Sequence, residues 1–375
     1  MADLTASLCG LLLKHPVLPG PGPVVAGGAE VAAALHGGAA AAVLQTVALN
    51  PSPNPRRTPY GKDGAFHHEP CSARPFGEWL ATDYQEALKA ARAAGVPFIP
   101  SIGYRAAGVA NMAIHLRDAD ALLYDTHHAQ REQIHSALEA LRSLVSCPVI
   151  VRLGPHHGED LADFAASLEK VADGFCVIGS FGPALLLDSE APGASPGLGF
   201  LSGAPIRPVA QRFVFELARR VSKPVIAAGG IASGRDVAEC LLLGATAVMA
   251  STQALLKGPG VFGAMAQELD RWLDVNGYGS VAEVQGQYIR KYGRGQRVVT
   301  EKEEAPALTP DACITCTFCE TVCFYDAIVA PPKRLPAISD EPCFQCGLCV
   351  SACPTGALSF RPRDAVTLLP APKGV

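Results

Sequence analysis

The sequence predicts an α/β chain in which a (β/α)8 barrel over residues 1–285 is followed by a linker over 286–305, a small α+β domain over 306–362 and a tail over 363–375. Three observations carry this expectation. Eight short apolar or β-branched runs alternate with helical patterns in the first part of the chain, which is the series a barrel needs. Eight of the thirteen cysteines crowd between Cys313 and Cys353. The length, 375 residues, suits one large domain plus a small one, since a barrel alone takes ~250 residues. Hydrophobic residues make up 49% and charged residues 18%, which excludes a disordered chain. A formal net charge of −4 gives no electrostatic reason to expect nucleic acid. The longest apolar runs, such as Cys9–Leu13 and Pro224–Ala228, fall far short of the ~20 residues of a membrane span, and the N-terminus lacks the basic start of a signal peptide. A cytoplasmic protein with neither nucleic-acid nor membrane partners is expected.

The strands are expected, in order, at Pro16–Pro19, Ala41–Gln45, Phe98–Ser101, Ala121–Asp125, Val149–Leu153, Gly174–Gly179, Val225–Ala228 and Ala247–Ala250. Between them Ile134, Leu138, Leu141 and Leu144 share a helical face, as do Leu161, Phe164, Leu168 and Val171, and Val209, Phe213 and Leu217. Gly95 ahead of Pro97 marks a helix end. Two connections, Ala48 to Asp83 and Phe181 to Pro208, are about twice as long as the rest and leave the C-terminal ends of strands. Barrel active sites are built there, so both are expected to be binding loops.

The clustered cysteines repeat one spacing: Cys313-x2-Cys316-x2-Cys319-x3-Cys323 recurs 30 residues later as Cys343-x2-Cys346-x2-Cys349-x3-Cys353. Three thiolates in a tight loop grip one face of a cubane, and the doubled motif supplies each fourth ligand by exchange between halves. Cys313, Cys316, Cys319 and Cys353 then hold one [4Fe–4S] cluster, and Cys343, Cys346, Cys349 and Cys323 the other. Zinc sites also use four thiolates but usually pair two CxxC units. Over residues 306–362 the chain resembles bacterial two-cluster ferredoxins, with Pro354 after the last Cys and Phe324 at the matching position of the first half. The scattered Cys9, Cys147, Cys176 and Cys240 read as small apolar fillers.

Strand 7 ends in Gly229-Gly230-Ile231 ahead of a helix, and strand 8 in Ser251-Thr252. Glycines let backbone N–H groups approach an anion and a helix N-terminus adds its dipole, so these turns form a phosphate cradle. Gly199-Phe-Leu-Ser202-Gly203 supplies a further glycine turn before a helix.

These residues resemble the FMN-dependent dihydroorotate dehydrogenases, and more closely the catalytic part of dihydropyrimidine dehydrogenase, which also has a two-cluster domain after its barrel. The likeness includes Leu11-x3-His15-Pro16-Val17, Asn54-Pro55-Arg56, Leu201-Ser202-Gly203, Gly229-Gly230-Ile231-x2-Gly234-x-Asp236 and Gly277-Tyr278-x-Ser280. It implies FMN across the barrel mouth, with Gly203, Gly229, Gly230, Ser251 and Thr252 beside its phosphate and Gly20, Gln45, Thr46 and Arg152 elsewhere around it. Arg152 stands where the family has a Lys whose charge stabilises the reduced flavin at its N1 and O2 edge.

Departures are equally plain. Gln45 replaces a second family Lys, Gly20-Pro21-Gly22 replaces Ala-Ser-Gly, and the substrate-binding stretch at the end of strand 4 reads Asp125-Thr126-His127-His128. The loop carrying the family's Ser or Cys base is missing, so neither dihydroorotate nor uracil is implied. His127 and His128 are the foremost proton donors in their place, since His is poised near neutral pH. Cys71 in the loop after strand 2 is a further candidate acid. Of His156 and His157, one is expected to face solvent and the other to cap a loop. The expected function is an FMN oxidoreductase that moves a hydride between flavin and a polarised C=C or C–C bond of a small substrate, with the clusters passing single electrons. No GxGxxG stands between a strand and a helix, so the electrons are expected from a ferredoxin or a separate NAD(P)H-oxidising flavoprotein subunit. The related barrels imply an oligomer of like or unlike chains. An alternative is an electron-transfer subunit whose barrel has lost catalysis.

Overall fold

The computed structural model describes all residues except 1, 50–56, 61–63, 68–73, 104–107, 128, 187–196, 293–295, 300–305, 340–341, 361–366 and 371–375. The chain folds as two compact units, Met1–Arg294 and Gly295–Val375.

In the first unit, β1 (Val17–Pro19), β2 (Ala42–Val47), β3 (Phe98–Gly103), β4 (Leu122–Asp125), β5 (Val149–Leu153), β6 (Gly174–Ile178), β7 (Val225–Ala228) and β8 (Ala247–Ala250) make one parallel sheet in the ring order β1-β8-β7-β6-β5-β4-β3-β2. Ala40 N–H donates to the Val17 carbonyl at 3.1 Å, drawing the two end strands together. All eight expected strands are present, none displaced by more than two residues at either end.

Side chains alternate across each strand. Leu18, Val43, Ile99, Leu123, Ile150, Cys176, Ile226 and Met249 fill the barrel interior, while Val17, Leu44, Leu122, Val149 and Val151 pack outward. One step further toward the strand C-termini, Ser101, Asp125 and Arg152 follow Ile99, Leu123 and Ile150 on the inward face, so that layer turns polar. The β2–β3 register slips between Leu44↔Pro100 and Val47↔Ile102, because Pro100 has no N–H for the ladder.

The helices include α1 (Gly28–His36), α2 (Gln85–Ala94), α3 (Val109–Ala113), α4 (Arg131–Leu144), α5 (Leu161–Ser167), α6 (Arg207–Arg220), α7 (Gly234–Leu242) and α8 (Val261–Val275). Gly95 ends α2 in the left-handed conformation at φ 63°. On α4, Ile134, Leu138 and Leu141 are buried as expected, but Leu144 is exposed because it closes the last turn. The buried face of α6 is Ala210, Val214 and Leu217 rather than Val209 and Phe213. The small Ala210 and Ala218 allow that helix to lie close to the sheet, and Val209 turns to solvent.

The two long connections pair with each other. Arg57–Tyr60 and Gly64–His67 from the first, and Phe181–Leu186 and Gly197–Gly203 from the second, form a four-stranded antiparallel sheet with Gly203 opposite Gly64.

The second unit is a double hairpin whose halves repeat at the 30-residue offset of the cysteines. Ala307–Leu308 pairs with Leu358–Ser359, and Ile328–Val329 with Ala337–Ile338. The halves are thus interlocked, the first strand of one against the last strand of the other. Left-handed residues recur in register: Thr315 and Gln345, Thr317 and Gly347, Asp326 and Gly356. Non-glycine residues pay for that conformation with roughly 1–2 kcal/mol each, and it recurs at the same places in both halves. Of the scattered cysteines, Cys176 and Cys240 are buried, while Cys9 and Cys147 are half-buried, so only the first two are simple core fillers. Burial pushes the Cys176 thiol up to about 12, far from reactive. Among the described residues no helix is long and apolar enough to cross a membrane.

Candidate functional site

A cleft of ≈ 760 Å³, open to solvent, lies at the C-terminal ends of the strands, lined by Gly20 and Gly22 after β1, Arg152 on β5, Gly179 and Ser180 after β6, Ser202 and Gly203, Gly229 and Gly230 after β7, and Ser251 and Thr252 after β8. Every expected cofactor residue except Gln45 and Thr46 lines it. Thr46 is instead fully buried, its hydroxyl 2.8 Å from Ser101 Oγ and donating to Asp125 Oδ2 at 3.3 Å. The β2–β3 register slip occurs at Gln45 and Thr46, the pair that stays off the cleft wall.

The strand 7 turn places Gly229 and Gly230 at φ 114° and 81°. A Cβ on Gly230 would lie 2.6–2.8 Å from Arg207 Cβ, Cα and N, so only glycine lets the turn sit against the start of α6. Among the described residues, the backbone N–H groups of Gly229, Gly230 and Ser251 meet no protein acceptor outside strands and helices. They are therefore open to an anion. The N-terminus of α7 is not. Asp236 accepts from the N–H groups of Ala232 and Ser233 at 2.9 Å and pairs with Arg207, and Glu268 accepts from Gly234 N–H at 2.6 Å. The expected dipole contribution after β7 is thus already used by the protein's own carboxylates.

Gly20 and Gly22 fit closely against Ser251, with a Cβ at Gly22 only 2.9 Å from Ser251 Oγ. Thr252 Oγ1 donates to Ser202 Oγ at 2.9 Å, joining the β8 end to the antiparallel sheet. Ser180, 4% exposed, lines the cleft with its hydroxyl unpartnered among the described residues. A buried hydroxyl left without a partner costs roughly 1–3 kcal/mol, so a polar ligand atom fits there. Neither Ser180 nor Gly179 stands out in the sequence; the signal was only their place directly after β6.

Among the described residues Arg152 is the sole charged side chain lining the cleft. It is paired: Nη1 lies 2.9 Å from Asp125 Oδ2, with the two side chains 11% and 2% exposed. A Cβ at Gly179 would overlap the guanidinium, 1.7 Å from Nη2, so Gly179 creates the space that Arg152 fills. An N–H cradle, an orphaned hydroxyl, one cation and an apolar floor at Met249 and Ala228 match the donor set that a flavin phosphate and ring require.

Beside the cleft, at the ends of β4 and β5, three imidazoles gather. His127 and His156 have ring centroids 5.3 Å apart, and His156 and His157 3.9 Å. His127 is half-buried against Phe200 of the antiparallel sheet at 4.0 Å, and its backbone N–H donates to Asp125 Oδ1 at 3.2 Å. His156 is exposed, whereas His157 is buried and caps its own turn through Gly154 N–H, donated to Nδ1 at 3.2 Å. Burial pushes His157 down to about 4, so it is neutral at physiological pH. His128, Cys71 and the Asn54-Pro55-Arg56 stretch lie outside the described residues.

In the second unit one cavity of ≈ 400 Å³ is lined by Cys313, Cys316, Cys319 and Cys353, and another of ≈ 320 Å³ by Cys323, Cys343, Cys346 and Cys349. The structure thus brings each expected quartet together. Ala357 N–H donates to Cys353 Sγ at 3.2 Å and Thr315 N–H to Cys313 Sγ at 3.4 Å, contacts of the kind that tune a cluster potential.

Comparison with known proteins agrees with this geometry. The dihydroorotate dehydrogenase family model matches residues 121–273, from β4 through most of α8, and the 4Fe-4S dicluster domain model matches residues 312–357. The catalytic subunit of dihydroorotate dehydrogenase B (NAD(+)) of Geobacter sulfurreducens is 39% identical over 154 residues, 40% of this chain and 50% of that protein. The Pyrococcus furiosus protein of the same description is 34% identical over 158 residues, 41% of this chain and 52% of that protein. The chain therefore spans about half the length of these two relatives. The Methanothermobacter thermautotrophicus protein is 28% identical over 302 residues, 76% of this chain and 97% of that protein. The first match implies FMN and the second a pair of 4Fe–4S clusters, and the chain joins a dihydroorotate dehydrogenase-type domain to a 4Fe–4S dicluster domain.

Proposed function

We propose that the chain is an FMN- and iron–sulfur-dependent oxidoreductase that moves a hydride between flavin and a polarised C=C or C–C bond of a small substrate, with electrons relayed through two [4Fe–4S] clusters to or from a partner. The observation that carries it is the cleft of Gly203, Gly229, Gly230, Ser251, Thr252 and Arg152 in one chain with two cysteine quartets. When bound, FMN supplies exchange of two electrons with an organic substrate and of one with a cluster.

The protein's own groups divide the remaining work. The N–H groups of Gly229, Gly230 and Ser251 receive the phosphate, and Ser180 Oγ donates to a second polar atom of the cofactor or substrate. Arg152 supplies positive charge from the barrel interior. His127 holds or delivers a proton at an imidazole nitrogen, while Phe200 against its ring keeps water from that side. His157, neutral and fixed, does not compete for the proton. The relatives are described as catalytic subunits, which supports a partner chain, a ferredoxin or an NAD(P)H-oxidising flavoprotein subunit, as the source or sink of electrons.

A second reading, a flavin and iron–sulfur electron-transfer subunit without catalysis of its own, is favoured by one feature. Asp125 at the end of β4 is occupied by Arg152 and Thr46 and so is not presented to a substrate. The two readings separate on turnover. The isolated holoprotein with an artificial electron donor reduces a small unsaturated substrate under the first and none under the second.

A further inference from the structure

We propose that Asp125 is a buried counter-charge to Arg152, setting the reduction equilibrium of the flavin by holding the charge at the barrel mouth close to neutral. This rests on the cleft being the FMN site.

Asp125 and Arg152 are register partners on adjacent strands, so both side chains point into the barrel at the same level. The carboxylate is satisfied on both oxygens: Oδ2 accepts from Arg152 Nη1 at 2.9 Å and Thr46 Oγ1 at 3.3 Å, and Oδ1 from the His127 backbone N–H at 3.2 Å. With three donors around it and 1% exposure, it has one position. The guanidinium is pinned on the other side by the Gly179 backbone, where no side chain fits. Arg152 lines the cleft and Asp125 does not, so a ligand meets the cation first and the anion behind it.

A lone buried cation at this place would strongly favour a ligand that gains negative charge on reduction. A fixed anion directly behind it turns that charge into a dipole, whose attraction falls off faster with distance. Asp125 is therefore a positioning and charge-setting residue; it does not touch the reacting atoms. The charge role and a merely structural role differ in sign. If the carboxylate sets charge, Asp125→Asn removes that negative charge from behind the guanidinium and favours reduced flavin. If it only orients Arg152, Asp125→Asn loosens the guanidinium and disfavours reduced flavin, as Arg152→Gln does.

The test is a spectroscopic redox titration of the full-length holoprotein and its Asp125→Asn, Arg152→Gln and Asp125→Asn/Arg152→Gln variants, with FMN content, iron content and circular dichroism recorded for each. Asp125→Asn is expected to shift the FMN equilibrium toward the reduced form at least tenfold, about 30 mV for a two-electron couple. Arg152→Gln shifts it the other way, and the double variant lies between the two. A shift of Asp125→Asn in the direction of Arg152→Gln, or none, overturns the proposal. Should Asp125→Asn fail to fold, the double variant decides, because it buries no unpaired charge: a potential as low as that of Arg152→Gln overturns the proposal. Wild-type protein that binds no FMN removes the proposed function instead.

Discussion

Replacing Gly230 by Ala tests the anion cradle at its tightest point. Gly230 holds φ 81°, a left-handed conformation that costs an L-residue roughly 1–2 kcal/mol. The new Cβ would also lie 2.7 Å from Arg207 Cα and 2.8 Å from its N. These are backbone atoms at the start of a 14-residue helix and cannot swing aside, so overpacking adds about 1–3 kcal/mol. The sum, ~2–5 kcal/mol, lowers Tm by about 4–10 °C at ~2 °C per kcal/mol for a large domain. Displacing the turn also costs an N–H donor to the phosphate, about 1.5–3 kcal/mol or roughly 10–150-fold in FMN Kd. Thermal unfolding of the flavin-free chain and FMN titration by fluorescence quenching read the two effects separately. Gly77→Ala is the control, since a Cβ there meets nothing within 4 Å and its φ is not left-handed. Gly230→Ala with wild-type Tm and wild-type FMN affinity would refute the steric argument and the cradle together.

His127→Asn should lower turnover roughly 10²–10⁴-fold with FMN and iron content intact; near-normal turnover moves the proton to His128, Cys71 or water. Cys353→Ser should halve the iron content by removing the cluster of Cys313, Cys316 and Cys319 while its neighbour persists, and full iron by chemical analysis contradicts the quartet. The buried His15 and His157 are both pushed by desolvation from 6.5 down to about 4. The unfolded chain binds their protons first, so their stability contribution is complete above pH ~6.5 and lost as pH falls toward 4. Each contributes a slope of about 1.4 kcal/mol per pH unit in that window. Urea unfolding between pH 7 and 5 measures it, and no change in slope on His15→Asn would contradict the burial argument.

The barrel was legible because each strand is a short apolar run that must be buried on both faces, and β5, Val149–Leu153, was placed to the residue. The glycine turns were legible for the same local reason: left-handed backbone calls for glycine wherever it occurs. The cysteine quartets follow from spacing alone. Pairings between distant segments were not legible. Nothing local in Gly64–His67 says that it will pair with Gly197–Gly203, more than a hundred residues away. The Asp125–Arg152 pair stayed hidden because it depends on register between β4 and β5. Aligning Leu122 with Val149 would have placed opposite charges side by side at the ends of two apolar strands. The sequence shows Arg152 only as a positive charge near the flavin, and its partner changes that meaning. The face of α6 was misjudged because alanines took the positions against the sheet that larger residues were expected to fill.

The most direct measurement is the anaerobic reoxidation of dithionite-reduced full-length holoprotein by a panel of small compounds bearing a polarised C=C bond, followed at flavin and cluster absorbances. The expected result is that at least one compound reoxidises the flavin and then the clusters to completion, and that Arg152→Gln changes the rate of that step. Flavin and clusters that are reoxidised only by a protein or one-electron acceptor, with every organic compound inert, would contradict a catalytic barrel and leave the electron-transfer subunit in its place.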